Sequence, residues 1–126
     1  MMPRLIIADD HRKFKDAFKE LFMDSGLDII GEAGDGLETL ELVERLEPDL
    51  LLLDMRLPKL DGISVLKQLR KSHPELKIIM LTLFNNISEQ AIRAGANGFC
   101  SKVCGGNKLL EGIERVLRGE TVVINE

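Results

Sequence analysis

Leu50-Leu51-Leu52-Leu53-Asp54-Met55-Arg56-Leu57-Pro58 is the stretch on which the fold turns. A continuous apolar run of this length fits a strand covered on both faces, which is the habit of a parallel sheet. An acid ends the run, and Pro58 marks the turn that follows. Leu5-Ile6-Ile7-Ala8, closed by Asp9-Asp10, and Ile78-Ile79-Met80-Leu81, closed by Thr82, repeat the pattern on either side. The stretch 27–33, with Asp28 and Glu32, and the short mixed stretch 98–102 are less apolar and fit exposed sheet edges.

Helical stripes alternate with these runs. Phe14, Ala17, Phe18, Leu21 and Phe22 follow the spacing of one buried helix face. Leu37, Leu40 and Val43 make a second stripe, opened by an Asp35 to Glu38 capping pattern, and Ile63, Leu66 and Leu69 a third after Asp61-Gly62. A fourth, of about two turns, is expected from Ile87 to Ala94, capped by Asn86 and ended by Gly95. Leu109, Leu110, Ile113, Val116 and Leu117 form the last, with Asn107 as its expected cap and Gly119 as its stop. Strand and helix in strict alternation define an α/β domain, doubly wound about a parallel five-stranded sheet.

Composition narrows the function. The 126 residues, 44% hydrophobic and 30% charged, make one ordinary globular domain. Against 21 acidic residues there are 17 Lys+Arg, a net charge of -4, so direct DNA binding by this segment is disfavoured. No apolar run reaches the length of a membrane span and Met1-Met2-Pro3 leads straight into a charged strand, so a cytoplasmic location is expected. Cys100 and Cys104 read as free thiols rather than a disulfide or a zinc site. Gly31-Glu32-Ala33-Gly34-Asp35-Gly36 has the wrong glycine order for a dinucleotide fingerprint, and no phosphate-binding P-loop motif exists. Lys67, Arg70, Lys71, His73 and Lys77 read as a solvated helix end.

Right-handed crossovers bring the carboxyl ends of parallel strands to one rim, where such folds bind ligands. There the sequence supplies Asp9, Asp10, Asp54, Thr82 and Lys102. Each alone has a plain reading: Asp9 or Asp10 as a helix cap, Asp54 as a loop opener, Thr82 as a strand-end residue, Lys102 as a surface charge. Their convergence is not explained that way. Carboxylates a few ångströms apart repel by roughly 4 kcal/mol per pair at an effective dielectric of 20, and a divalent cation removes that cost. All-oxygen ligation suits Mg²⁺, and a carboxylate beside it, with an ammonium and a hydroxyl in reach, has the parts to form an acyl phosphate.

Asp9-Asp10, Asp54 with Pro58 and Asp61-Gly62, Thr82 and Lys102 together resemble the receiver domain of bacterial two-component response regulators, over nearly the whole chain. Ala8-Asp9-Asp10-His11 and Arg118-Gly119-Glu120 are similar to the NarL/FixJ subfamily, whose receivers precede a helix-turn-helix output domain. The resemblance implies a flavodoxin-like (βα)5 fold with strand order 2-1-3-4-5. It implies Asp54 as phosphoacceptor, Asp10, Asp54 and the Arg56 carbonyl as direct Mg²⁺ ligands, and Asp9 as a ligand through water. Thr82 and Lys102 would bind the phosphoryl group, Phe99 would be the aromatic switch residue, and His11 would face the partner. The donor would be a sensor histidine kinase or phosphotransfer protein, and the switched surface would serve a partner or a homodimer. Such a domain is no conventional enzyme; it catalyses only its own phosphorylation and dephosphorylation.

The sequence departs from the family pattern in three places. Leu83 and Phe84 follow Thr82 where a small residue is usual, which narrows access. The interval from Thr82 to Lys102 is about two residues short, in keeping with the brief fourth helix. Arg56 puts a cation beside the phosphorylation site. A rival reading is a phosphorylation-independent protein interaction module with the same fold, while a phosphatase would need an acid at the position of Arg56. Residues 1–119 are expected to form the receiver and 120–126 a tail or the start of a linker to an output domain; Thr121 to Ile124 either covers the domain or begins that linker.

Overall fold

The apolar runs become strands and the stripes become helices in the computed structural model, which describes residues 2–83 and 88–124. In chain order these are β1 (Arg4–Ala8), α1 (Arg12–Phe22), β2 (Asp28–Ala33), α2 (Gly36–Leu46), β3 (Leu50–Asp54), α3 (Gly62–Ser72), β4 (Lys77–Thr82), α4 (Ser88–Arg93), β5 (Gly98–Ser101), α5 (Gly106–Leu117) and β6 (Val122–Ile124). All pairings are parallel, in the order β2-β1-β3-β4-β5-β6. The expected order of the first five stands, and a sixth strand extends it. Val122, Val123 and Ile124 pair with Gly98, Phe99 and Cys100, so β5 is an interior strand rather than the exposed edge. Thr121 to Ile124 thus returns to the sheet: a short apolar run finds its partner in the open edge of β5.

Successive residues of each run serve opposite faces. Ile6, Leu51, Leu53, Ile78, Met80 and Phe99 pack toward α2, α3 and α4 with Val43, Leu66 and Ala91. Leu5, Ile7, Leu50, Leu52, Ile79 and Leu81 pack toward α1 and α5 with Phe18, Phe22, Ile113 and Val116. Each such side chain contributes about 1.5–3 kcal/mol by burial, which is why these runs carry no polar residue before the rim.

Side-chain caps set the starts of α2 and α3. Asp35 accepts from Glu38 N at 2.8 Å and Asp61 from Ser64 N at 2.9 Å, as the sequence implied. Three expectations shift. Gly105, not Asn107, is the residue before α5. His11, not Asp9 or Asp10, holds the N-cap position of α1. Leu37 is exposed, and Thr39 and Leu42 join Val43 on the buried face of α2, so that stripe lies one step round the helix. The expected cap Asn86 and start Ile87 of the fourth helix lie outside the described residues.

Two glycines set how closely the loops approach. A Cβ at Gly62 would stand 2.2 Å from the Asp54 carbonyl oxygen, and one at Gly36 would stand 1.9 Å from the Leu60 carbonyl oxygen. Gly62 N also donates to Met55 O at 2.9 Å, closing the β3–α3 loop against the end of β3. Gly62→Ala is therefore expected to destabilise the domain by about 2 kcal/mol, as overpacking against backbone does, read from denaturant midpoints at an unchanged m-value.

Arg70 corrects a further reading. It is no solvated helix end: its guanidinium donates to the carbonyls of Gly95 at 2.9 Å, His73 at 3.2 Å, Pro74 at 3.1 Å and Leu76 at 2.8 Å, and to Asn97 Oδ1 at 2.9 Å. Asn97 Oδ1 also accepts from Ile78 N at 2.9 Å. One cation thus ties the end of α3 to the loops flanking β4 and β5. Arg70→Ala should cost about 2 kcal/mol, since several partly buried acceptors lose their donor together, measurable as a lowered melting temperature.

Candidate functional site

The rim residues follow from where each strand stops. Asp9 comes directly after β1, Asp54 ends β3, Thr82 ends β4 and Lys102 follows β5. Backbone pairing fixes their heights. Met55 N donates to Leu81 O at 3.1 Å and Lys102 N to Thr82 O at 2.7 Å, so these strands end together. Asp9 N is held by Ala33 O at 3.0 Å.

The side chains then meet. Lys102 reaches across the end of β4, its Nζ 2.7 Å from Asp9 Oδ2 and 3.2 Å from Asp54 Oδ2. Its side chain is 1% exposed, against 0% for that of Asp9 and 5% for that of Asp54. The ammonium touches both of these oxygens and is the cation that pairs with them. One ammonium shared between two carboxylates cannot fill their acceptor sites, so both acids keep acceptor capacity.

Asp10 is turned further out, with its side chain one-third exposed. His11 was expected to face a partner; its half-exposed ring also enters the acid cluster. Nδ1 lies 3.1 Å from Asp9 Oδ1, 3.1 Å from Asp10 Oδ1 and 3.9 Å from Asp54 Oδ2. Asp9, Asp10, His11 and Asp54 offer ligand atoms that all lie within 4.8 Å of one another.

Burial holds the Asp54 carboxyl above the ordinary carboxylate range; Lys102 and the Arg56 N–H, 3.4 Å from Asp54 Oδ1, pull it back, and the Asp9 charge adds to the rise. Arg56 itself stands on the exposed loop after β3. Thr82 is buried at the end of β4, and Phe99 is buried on β5 toward the α3 and α4 face. Leu83 is exposed beside Thr82, and Phe84 lies outside the described residues.

Sequence reasoning missed one member. Phe14, read as part of the buried stripe of α1, lies under the ammonium, with Lys102 Nζ 4.3 Å from its ring centroid. His11 meets the same ring edge-on at 5.9 Å. The signal was present: Phe14 heads the stripe one turn from Asp10, at the rim end of α1. A broad hollow of about 700 Å³ between Pro3, Pro48, Pro74 and Leu117 opens at the opposite ends of the strands and holds none of these groups.

The site suits a hard divalent cation. Carboxylate oxygens grouped on adjacent strand ends are the ligand type that Mg²⁺ or Ca²⁺ takes. A doubly wound sheet with acids and one ammonium at its carboxyl rim defines a class of signalling domain. The family model of the response regulator receiver domain matches residues 5–114, and the chain belongs to that family, the receiver domains of two-component systems.

Relatives agree. The chain is 36% identical over 120 residues to a transcriptional regulator of Pseudomonas aeruginosa, covering 94% of this chain and 58% of that one. It is 28% identical over 125 residues to the response regulator GacA of Pseudomonas viridiflava, covering 97% and 58%. The signal receiver domain of the response regulator NarL from Mycobacterium tuberculosis superposes with a TM-score of 0.88 at 28% identity, covering 94% of this chain and 98% of that one. The chain thus spans little more than half the length of the curated relatives it matches. Among the described residues no helix is long and apolar enough to cross a membrane.

Proposed function

We propose that this domain is a phosphorylation-operated switch in which Asp54 accepts a phosphoryl group from a phosphohistidine of a sensor histidine kinase or phosphotransfer protein, with Mg²⁺ as cofactor. The observation that carries this reading is the buried Lys102 ammonium in contact with both Asp9 and Asp54 at the carboxyl rim of the sheet. Asp10, Asp54 and the backbone carbonyl of Arg56 would hold the cation directly, and Asp9 through water. When bound, Mg²⁺ supplies positive charge to the phosphoryl oxygens.

The chain's own residues do the rest. A carboxylate oxygen of Asp54 attacks phosphorus while the bond to the donor imidazole breaks, and that imidazole leaves with the proton it carries. Lys102 sets a fixed charge beside the transferred group, and Phe14 and the acids keep the ammonium in place. Thr82 donates its hydroxyl to the phosphoryl group, and Phe99 repacks as Thr82 moves. Phosphorylation adds about -1.5 to -2 charges at the rim, enough to bias an existing equilibrium between two surface states. The domain promotes only its own phosphorylation and its loss, without turnover of an outside substrate.

The receiver takes in β6 (Val122–Ile124) as well as residues 1–119, and the chain leads on from there toward an output domain. DNA contact belongs to that domain rather than to this acidic segment, and the switched surface is read by a partner or by a second receiver. The name of the Pseudomonas aeruginosa relative as a transcriptional regulator, and the greater length of both relatives, support the output domain. The domain works in the cytoplasm in this reading.

The test is incubation with Mg²⁺ and a small acyl or amido phosphate, followed by intact mass and amide NMR spectra. One phosphoryl adduct is expected, absent in Asp54→Asn, with shifts extending from Lys102 to Phe99. An adduct whose shifts stay confined to the rim would instead make the domain an unswitched interaction module, and no adduct would refute phosphoacceptance.

A further inference from the structure

Cys100 and Cys104 lie outside the chemistry described so far, yet they form a pair. Cys100 is buried on β5, facing α1 and α5. The chain turns back after Ser101, Cys104 N donating to Ser101 O at 3.1 Å, and the turn returns Cys104 to the same side of the sheet. Both cysteines are free, and their Sγ atoms are 2.7 Å apart. That is inside van der Waals contact and about 0.65 Å longer than a disulfide bond. Lys102 is the middle residue of the five-residue segment the two sulfurs bracket.

Access differs between the two. Cys104 is partly exposed and lines a cavity of about 310 Å³ together with Phe14, Phe18, Leu21 and Leu109. The cavity admits a small molecule to Cys104, while Cys100 is buried in the core between β5 and the helices α1 and α5. Burial, and the neighbouring sulfur, push the Cys100 thiol up from its ordinary value, so of the two it is Cys104 that an outside oxidant meets first. The arrangement is that of an accessible thiol with a resolving thiol in contact.

We propose that Cys104 and Cys100 form an oxidation site for a small peroxide, closing reversibly to an intramolecular disulfide around Lys102. The Cys104 sulfur attacks one peroxide oxygen. The O–O bond breaks, an S–O bond forms, and the departing oxygen leaves as water after taking the thiol proton. The Cys100 sulfur then attacks the Cys104 sulfenic acid; the S–S bond forms, the S–O bond breaks, and the hydroxyl leaves as a second water with the Cys100 proton. Two thiols lose two electrons and the peroxide gains them. So short a loop is a constrained one, which places the bond among the readily reduced, regulatory type rather than the structural type.

The sequence provides a clean assay. Trypsin cuts after Arg93, Lys102 and Lys108, so peptides 94–102 and 103–108 carry one cysteine each. The full chain is treated with limiting hydrogen peroxide, alkylated in denaturant with N-ethylmaleimide, and digested without reduction. The expected product is the two peptides joined, from monomeric protein, with both thiols recovered for alkylation after dithiothreitol; Cys104→Ser should give no joined product. Separate, fully alkylated peptides would overturn the proposal. So would Cys104 oxidised to sulfinic acid beside an alkylated Cys100, or joining only between two chains. The readout is covalent connectivity and is independent of phosphorylation.

Discussion

Lys102→Met is expected to destabilise the domain by about 3–5 kcal/mol in the presence of a metal chelator, the usual consequence of removing one partner from a buried ionic cluster. Its ammonium is the charge in contact with Asp9 and Asp54, and all three side chains are almost wholly buried. Methionine keeps most of the volume over Phe14 but none of the charge, so the loss is electrostatic rather than a packing loss. The pH dependence has a fixed sign. Burial already raises the Asp54 carboxyl, with Lys102 opposing that rise, so the substitution raises it further. A carboxyl raised in the folded state penalises folding above its folded value and not below its unfolded one. Stability of the variant should therefore recover as pH falls from neutrality through that raised value toward the ordinary carboxylate range. Chemical denaturation at a series of pH values checks both magnitude and direction; a variant as stable as wild type at neutral pH would mean the acids are neutralised some other way.

Magnesium should stabilise the wild-type domain by about 2.7 kcal/mol when present at a hundredfold excess over its dissociation constant. Asp54→Asn is expected to bind the ion at least tenfold more weakly, which removes about 1.4 kcal/mol of that gain. The same substitution should raise the melting temperature in chelator, because it removes a carboxylate that burial and the Asp9 charge oppose. The two effects cross: the variant is the more stable without the ion and responds less to it. Thermal unfolding with and without Mg²⁺ measures both. Equal responses in the two proteins would place the ion elsewhere than between Asp10 and Asp54.

The sheet was legible because burial on both faces leaves continuous apolar runs, and Leu50 to Leu53 admits few other readings. The site was legible for a related reason. Polar residues stand at the ends of those runs, and a parallel sheet brings such ends together. What escaped depended on partners distant in the chain. Val122 to Ile124 reads as strand or linker until the open edge of β5 is seen beside it. Arg70 looks like one of several surface cations, because nothing local shows that carbonyls of the loops around β4 and β5 converge on it. His11 stands beside the acids by adjacency and Phe14 could be placed on α1 from periodicity, but the seat of Phe14 under Lys102 is set by how α1 leans on the sheet.

Reductive trapping tests the central claim most directly. After incubation with Mg²⁺ and a small acyl phosphate, borohydride converts an aspartyl phosphate to homoserine, and peptide sequencing locates it. The account predicts homoserine at position 54 alone, and none when Mg²⁺ is chelated. Homoserine at position 9 or 10, or an unmodified Asp54 in the presence of donor and Mg²⁺, would contradict it.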